Sequence, residues 1–216
     1  MKHDAIKTAV LSIKMIPNAD PMLREALRLE PDERSLGLIT TDCDDVSYAA
    51  LDEATKKAEV RVAYARSMYA GAGNASTRLA GEFIGILAGN PAEVRSGLEA
   101  AELYIERDAH FYSADDEDSV VYFAQCISRT GSYLSEAAGV PEGTPMAYLI
   151  APPLEAMVGL DAALKAAQVE MKVFYGPPSE TNFAGGLLTG DQAACKAACE
   201  AFAEAVNKIA DDPLSY

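Results

Sequence analysis

Tryptophan is absent from the 216 residues, histidine occurs twice and cysteine four times. His3 and His110 lie far apart, which leaves at most one plausible base for a histidine-driven triad. Four cysteines are too few for a disulfide scaffold of this length. Cys195 and Cys199 fall four apart in an Ala-rich run, the spacing of one helix face, and are expected as buried thiols. No second His or Cys pair stands at zinc spacing. Positive charge is also scarce: 18 Lys and Arg against 33 Asp and Glu give a formal charge of −15. Without a basic run the chain cannot displace counterions from phosphates, so nucleic acid and anionic membranes are excluded as partners. No apolar stretch reaches the ~20 residues of a membrane-spanning helix. The best candidate, Met146 to Leu160, is interrupted by Pro152, Pro153 and Glu155. Met1-Lys2-His3-Asp4 lacks the apolar segment of a secretory signal, so a cytosolic, reducing compartment is expected. G-x-S-x-G, P-loop and H-E-x-x-H motifs are missing, and Gly71-Ala72-Gly73 lacks the third glycine of a dinucleotide fingerprint.

What is present is an ordinary globular composition, 50% hydrophobic and 24% charged, organised by an internal repeat. One shift carries Leu23-Arg24-Glu25-Ala26 onto Leu134-Ser135-Glu136-Ala137 and Gly37-Leu38-Ile39 onto Tyr148-Leu149-Ile150. After a two-residue shortening, Leu51-Asp52, Ala54, Lys56, Ala58 and Val60 meet Leu160-Asp161, Ala163, Lys165, Ala167 and Val169. A shorter second loop then brings Leu87 and Gly89 onto Leu188 and Gly190. A collinear series of this kind predicts two copies of one domain, near 1–112 and 113–216.

Each copy reads as mixed α and β. Thr8 to Ile16 is a β-branched, partly alternating run and hence a strand. Asp20 and Pro21 open a short helix that Pro31 stops. Leu36–Thr41, Val60–Ala65 and Phe83–Ala88 are strands, and Tyr48–Ala58 is a helix. Asn90, Pro91 and Glu93 have the spacing of a capping box and start another helix, which runs to about Glu106. Copy two repeats this order from Val120 to Ile209, so an α/β sandwich with a roughly four-stranded sheet and flanking helices is expected per copy. Tyr64, Phe83, Tyr122 and Phe123 read as core.

Asp42-Cys43-Asp44-Asp45 follows a strand, where its carboxylates would be presented at the strand end. The first shift places Glu155, behind the stiff Pro152-Pro153, opposite Asp44. Solvation with helix capping is the plainer alternative. Asp115 to Asp118 read as a solvated turn. The small-residue loop Ala70 to Ser76, edged by Tyr69, changes conformation cheaply and reads as a surface hairpin or a gate.

The segments MAYLIAPPLEAMVGLDAALKAAQVEMKVFY and GGLLTGDQAACKAACEAF resemble the shell-protein domain of bacterial microcompartments, the BMC domain. Here the strand-and-helix unit that normally closes the domain comes first, so the domain looks circularly permuted. Two such copies, with SLGLITTDCDDVSYAALDEATKKAEV, RSMYAGAGNAS and SRTGSYLS, resemble the tandem-domain shell proteins of ethanolamine-utilisation microcompartments. The resemblance implies a non-enzymatic, cofactor-free homotrimer whose six domains form a pseudo-hexagonal tile beside other shell proteins in a cytoplasmic compartment. It further implies a central pore gated by the loop with Tyr69, Gly71 and Gly73. Small pores would bind ethanolamine through Asp44, Asp45, Glu82, Phe111, Glu155, Thr181, Asn182 and Phe183. Carboxylates suit the ammonium, aromatic faces add cation–π attraction, and Thr181 suits the hydroxyl. A rival reading, an enzyme or metal-binding protein, has Asp44, Asp45 and Glu155 hold a hard divalent cation. A third is a freely soluble ethanolamine sensor.

Overall fold

A computed structural model describes residues 1–68, 82–177, 179 and 182–215. They form two compact units: an N-terminal one of Thr8–Ala109 with Gly131–Leu134, and a C-terminal one of Met1–Lys7, His110–Thr130 and Ser135–Tyr216. The short β1 (Ala5–Ile6) belongs to the latter.

In the N-terminal unit the chain runs β2 (Val10–Ile16), α1 (Pro21–Ala26), β3 (Ser35–Thr41), α2 (Asp44–Lys57), β4 (Arg61–Ser67), β5 (Phe83–Gly89) and α3 (Pro91–Arg107). The four strands make an antiparallel sheet in the order β2-β3-β5-β4. Helix starts follow their caps. The Asp20 carboxylate accepts the Met22 N–H at 2.9 Å, and Asn90 Oδ1 accepts from Ala92 and Glu93 at 3.0 Å each. The central strands β3 and β5 are almost wholly buried. Gly37 shows how closely α3 sits on β3: a Cβ there would stand 2.7 Å from Val94 and 2.9 Å from Leu98.

The C-terminal unit continues with β6 (Phe111–Ser113), β7 (Val121–Ile127), the Ser135–Ala138 part of α4 (Ser132–Ala138), β8 (Met146–Ala151), α5 (Pro153–Ala166), β9 (Glu170–Tyr175), β10 (Ala184–Thr189) and α6 (Gln192–Asp211). Its antiparallel sheet has the order β1-β6-β7-β8-β10-β9. The last four strands repeat the order of the first sheet. The edge pair β1-β6 is an addition that the sequence pattern, with about four strands per copy, did not contain; two- and three-residue strands are too short to show a period. The mixed α and β class holds. α6 starts from an Asp191 cap on the Ala194 N–H at 2.7 Å, the counterpart of Asn90. Its buried face, Cys195, Ala198, Cys199, Phe202 and Val206, lies in the core with Leu149, Leu160 and Leu188. Phe202 reaches α5 so closely that a Cβ on Gly159 would be 2.7 Å from its ring.

The elements obey the three shifts of the repeat. Leu23 onto Leu134 also carries Val10 onto Val121 and Ser35 onto Met146, Leu51 onto Leu160 carries Asp44 onto Pro153, and Leu87 onto Leu188 carries Pro91 onto Gln192. Some expectations change. α2 begins at Asp44 rather than Tyr48, because Asp44 and Asp45 in its first turn complement the helix dipole. The shortening therefore precedes the helix, so Asp44 stands opposite Pro153, and Glu155 stands opposite Val46. β2 begins at Val10, and α1 ends at Ala26. Phe83, Tyr122 and Phe123 are buried, but Tyr64 on the outer strand β4 is 42% exposed. Asp115 forms the expected turn: burial raises its pKa, but the Ser119 hydroxyl and the N–H groups of Ser119, Val120 and Glu117 all donate to the carboxylate and together lower it to about 2. Among the described residues no helix is long and apolar enough to cross a membrane.

Phe202 has no exposed surface, and Phe→Ala in a close-packed core costs about 3–5 kcal/mol. At ~2–4 °C per kcal/mol for a chain of this size, Phe202→Ala should lower Tm by roughly 6–20 °C. The same truncation at Phe174, 49% exposed on β9, should shift it little. Calorimetry of the two variants checks the ranking.

Candidate functional site

The end of β3 and the start of α2 make a corner held by two side chains and one backbone carbonyl. Cys43, the N-cap, is extended (φ −146°, ψ 123°), and its carbonyl accepts from the Thr41 hydroxyl at 2.9 Å and the Ser47 hydroxyl at 2.6 Å. Thr41 and Ser47 oxygens are themselves 2.6 Å apart. All three residues are buried, and the corner fixes the first turn of α2 against the sheet.

On that turn stand Asp44, 3% exposed, and Asp45, 6% exposed. Asp44 Oδ1 accepts the Asp45 N–H at 2.9 Å, and the Ser67 hydroxyl at the end of β4 donates to the same carboxylate. Ser67 is 2.8 Å from the Tyr48 hydroxyl, and the Tyr48 ring meets Phe83 edge-on at 4.9 Å. Burial, and then the neighbouring charge of Asp45, push the Asp44 carboxyl well above the ordinary aspartate range against these hydrogen bonds. Beside them, Asp42 accepts the Ala9 N–H at 2.7 Å and returns its own N–H to the Ala9 carbonyl at 3.2 Å. Its pKa is raised chiefly by burial, with a contribution from the like charge of Glu82. Glu82 lies just before β5, next to Asp42 because Thr41 pairs with Phe83, and its carbonyl accepts the Met68 N–H at 2.7 Å. The Cys43 thiol is driven up by burial and by Asp44 and Asp45, so it is protonated and unreactive. The N-terminal unit thus gathers Asp42, Asp44, Asp45 and Glu82 at one end of its sheet. Such a set accepts hydrogen bonds from a small cation, and ionising it in the absence of one is costly.

The remaining candidates lie in the C-terminal unit. Glu155 is the third residue of α5, half-buried in its first turn. Phe111 is 1% exposed, stacked on Phe123 at 5.4 Å and tilted against Phe183 at 6.1 Å, so its ring belongs to the aromatic core. Asn182 is exposed in the left-handed region (φ 70°) of a turn closed by Ser179 N–H to the Phe183 carbonyl at 2.8 Å. Thr181 and the loop residues Tyr69, Gly71 and Gly73 lie outside the described residues. Among the described residues no group of three or more His, Cys, Asp or Glu is placed to hold a metal ion. Cys195 and Cys199 are buried, as their helical spacing requires.

Two contributors were not singled out in the sequence. Ser67 stands in a strand far from the acidic run and carries no local signal. Asp52 is fully buried and accepts the Gly131 and Leu134 N–H groups at 2.8 and 2.9 Å, with Lys56 at 3.5 Å. Its identity with Asp161 in the repeat was the only visible hint.

Residues 35–114 match the BMC domain family. The bacterial microcompartment shell protein EutL of Clostridium perfringens is 66% identical over the full length of both chains. EutL of Escherichia coli is 51% identical over 98% of this chain and 97% of its own. The crystal structure of the ethanolamine utilization protein EutL from Leptotrichia buccalis, 64% identical, superposes over the whole of both chains with a TM-score of 0.95.

Asp44 also makes a sign-definite prediction. Below the ordinary value of 3.8 the carboxyl is protonated whether the chain is folded or unfolded. As pH rises through that value the unfolded chain ionises first, so stability falls until the raised folded pKa is passed, and above it the loss is complete. Asp44→Asn should therefore raise Tm at pH 7, with the gain shrinking as pH is lowered toward 4. Thermal unfolding across this range, wild type against variant, measures it; a gain independent of pH would contradict the burial argument.

Proposed function

This chain belongs to the EutL family of bacterial microcompartment shell proteins, and from that premise we propose that it assembles as a homotrimeric, pseudo-hexagonal shell tile that binds and passes ethanolamine. Three copies of a duplicated domain supply six equivalent positions around a closed axis, the symmetry that single-domain shell proteins reach with six chains. Other shell proteins are its neighbours in the facet. The loop carrying Tyr69, Gly71 and Gly73 is the proposed gate of the central pore, since small residues let its backbone change conformation at low cost.

The observation that carries the ligand is the buried Asp44–Asp45 pair. A protein that holds two adjacent carboxyls out of water accepts a standing loss of stability, and such losses concentrate where a ligand repays them. An ammonium is the complement: it donates up to three hydrogen bonds and cancels the charge that burial penalises. The ethanolamine hydroxyl and amine are close enough that one small polar site serves both. In the C-terminal unit, Glu155, Asn182, Thr181 and the Phe183 ring offer groups of the chemistry the same ligand requires, with cation–π attraction of ~0.5–2 kcal/mol from an aromatic face. Nothing in this reading asks for a cofactor or a reaction.

Calorimetric titration with ethanolamine tests it. Hydrogen bonds to a charged group contribute ~1.5–3 kcal/mol, so Asp44→Asn should weaken binding by roughly tenfold or more, and Glu155→Gln should weaken it in the same direction. Because the Asp44 pKa is raised, affinity should begin to fall with acid above the ordinary carboxylate range. Binding near neutral pH should also release protons, seen as a heat that varies with buffer. Unchanged affinity in both variants would remove the acidic site from the account.

A further inference from the structure

The N-terminal unit includes one stretch from the second repeat, Gly131–Leu134, and it lies along one face of α2. Tyr133 stacks on Tyr48 with ring centroids 6.1 Å apart and planes 15° from parallel. Leu134 is buried and gives its N–H to Asp52, while the Ser132 N–H donates to Thr55 Oγ1 at 3.1 Å. The face is thus Tyr48, Asp52 and Thr55, one side of a helix at i, i+4 and i+7.

The repeat states what the same contact looks like for α5. Tyr48, Asp52 and Thr55 become Met157, Asp161 and Leu164, and Gly131-Ser132-Tyr133-Leu134 become Asp20-Pro21-Met22-Leu23. The substitutions match in pairs. The Tyr48–Tyr133 stack becomes Met157 with Met22, two flexible apolar side chains that fill irregular gaps well. Where Thr55 loses its oxygen to Leu164, Ser132 loses its N–H to Pro21, so neither member is left with an unmet polar group. Leu23 takes the place of Leu134, and Asp161 keeps the carboxylate beside Lys165, at 2.6 Å, as Asp52 does beside Lys56. Yet in this chain the α5 set and the α1 set are both open. Met157 is 44% exposed and Leu164 37%, while Met22 is 80% exposed and Leu23 39%; their counterpart Leu134 is 2% exposed. Leu154 and Val158, on the same helix as Met157, add to the apolar surface.

We propose that the Met157–Asp161–Leu164 face of α5 is covered by the Asp20–Leu23 turn of a second copy of this chain, with Met22 packed on Met157 and Leu23 buried beside Asp161. The contact is heterologous, one surface against a different one, and closes into a ring when the rotation allows. The polar detail differs from the template at one place. Gly131 has no room for a side chain, since a Cβ there would stand 2.2 Å from Thr55 Oγ1; Asp20 meets Leu164 instead and turns its carboxylate onto the Met22 N–H of its own helix. The inference names the surfaces of the trimer proposed above and rests on that reading.

The test is directional cross-linking. Met22→Cys and Met157→Cys are made separately, and a short bismaleimide is applied to each variant, to their mixture after co-refolding, and to the wild type, whose native thiols are buried except the half-buried Cys126. The mixture should give a product of two chains absent from either variant and from the wild type, and the double variant should give covalent trimers. Light scattering of the same samples reports the oligomer independently. A threefold mass with no cross-linked product overturns this interface while leaving the trimer. A single-chain mass for the wild type overturns the trimer itself.

Discussion

Two helices lie so close to the N-terminal sheet that their side chains occupy the space a strand side chain would need. Val94 and Leu98 press onto Gly37, Leu51 onto Gly85, and Phe202 onto Gly159 between the helices of the second unit. This closeness decides the position of α2. The helix starts directly off β3, with Thr41 and Ser47 both bonded to the Cys43 carbonyl, and its first turn has nowhere to go but inward. Asp44 and Asp45 are buried because the helix that bears them is seated on glycine, and the acidic cluster follows from a packing constraint.

The consequence is a balance between opposed electrostatic effects. A carboxylate in the first turn of a helix gains ~0.3–1 kcal/mol from the dipole, and the Ser67 and Asp45 hydrogen bonds add to this. Burial works in the opposite direction and wins, as the raised Asp44 pKa shows. Asp161 occupies the place of Asp52 in the second repeat, exposed and paired with Lys165. One sequence position therefore serves as an internal strut in one repeat and stands open in the other, the difference on which the proposed contact with a second copy rests.

The repeat was legible because Leu, Gly and Ala recur at the same places in both halves, and the caps Asp20 and Asn90 announced their helices directly. The start of α2 is not legible in the sequence because Cys43 makes no side-chain cap; the hydroxyls of Thr41 and Ser47 act on its carbonyl, an arrangement no local rule anticipates. For that reason Asp44 pairs with Pro153 in the fold rather than with Glu155 as the ungapped repeat implies. The β1-β6 edge pair escaped because a two-residue strand has no pattern. Ser67 was invisible because its partner Asp44 is distant in sequence. Asp44 and Asp45 stand out in the sequence as a carboxylate run at a strand end and Glu82 through the family resemblance, whereas the burial of Asp44 and Asp45 belongs to the fold alone.

A shell tile differs from a soluble binding protein in what it does with its edges. The acidic chain carries apolar side chains on α5 and α1 that a freely soluble monomer would bury or replace, and these are the surfaces proposed for assembly. Electron microscopy of the purified protein tests this most directly. Ordered two-dimensional hexagonal arrays of threefold tiles are the predicted result; dispersed single chains at every concentration and salt condition would contradict it.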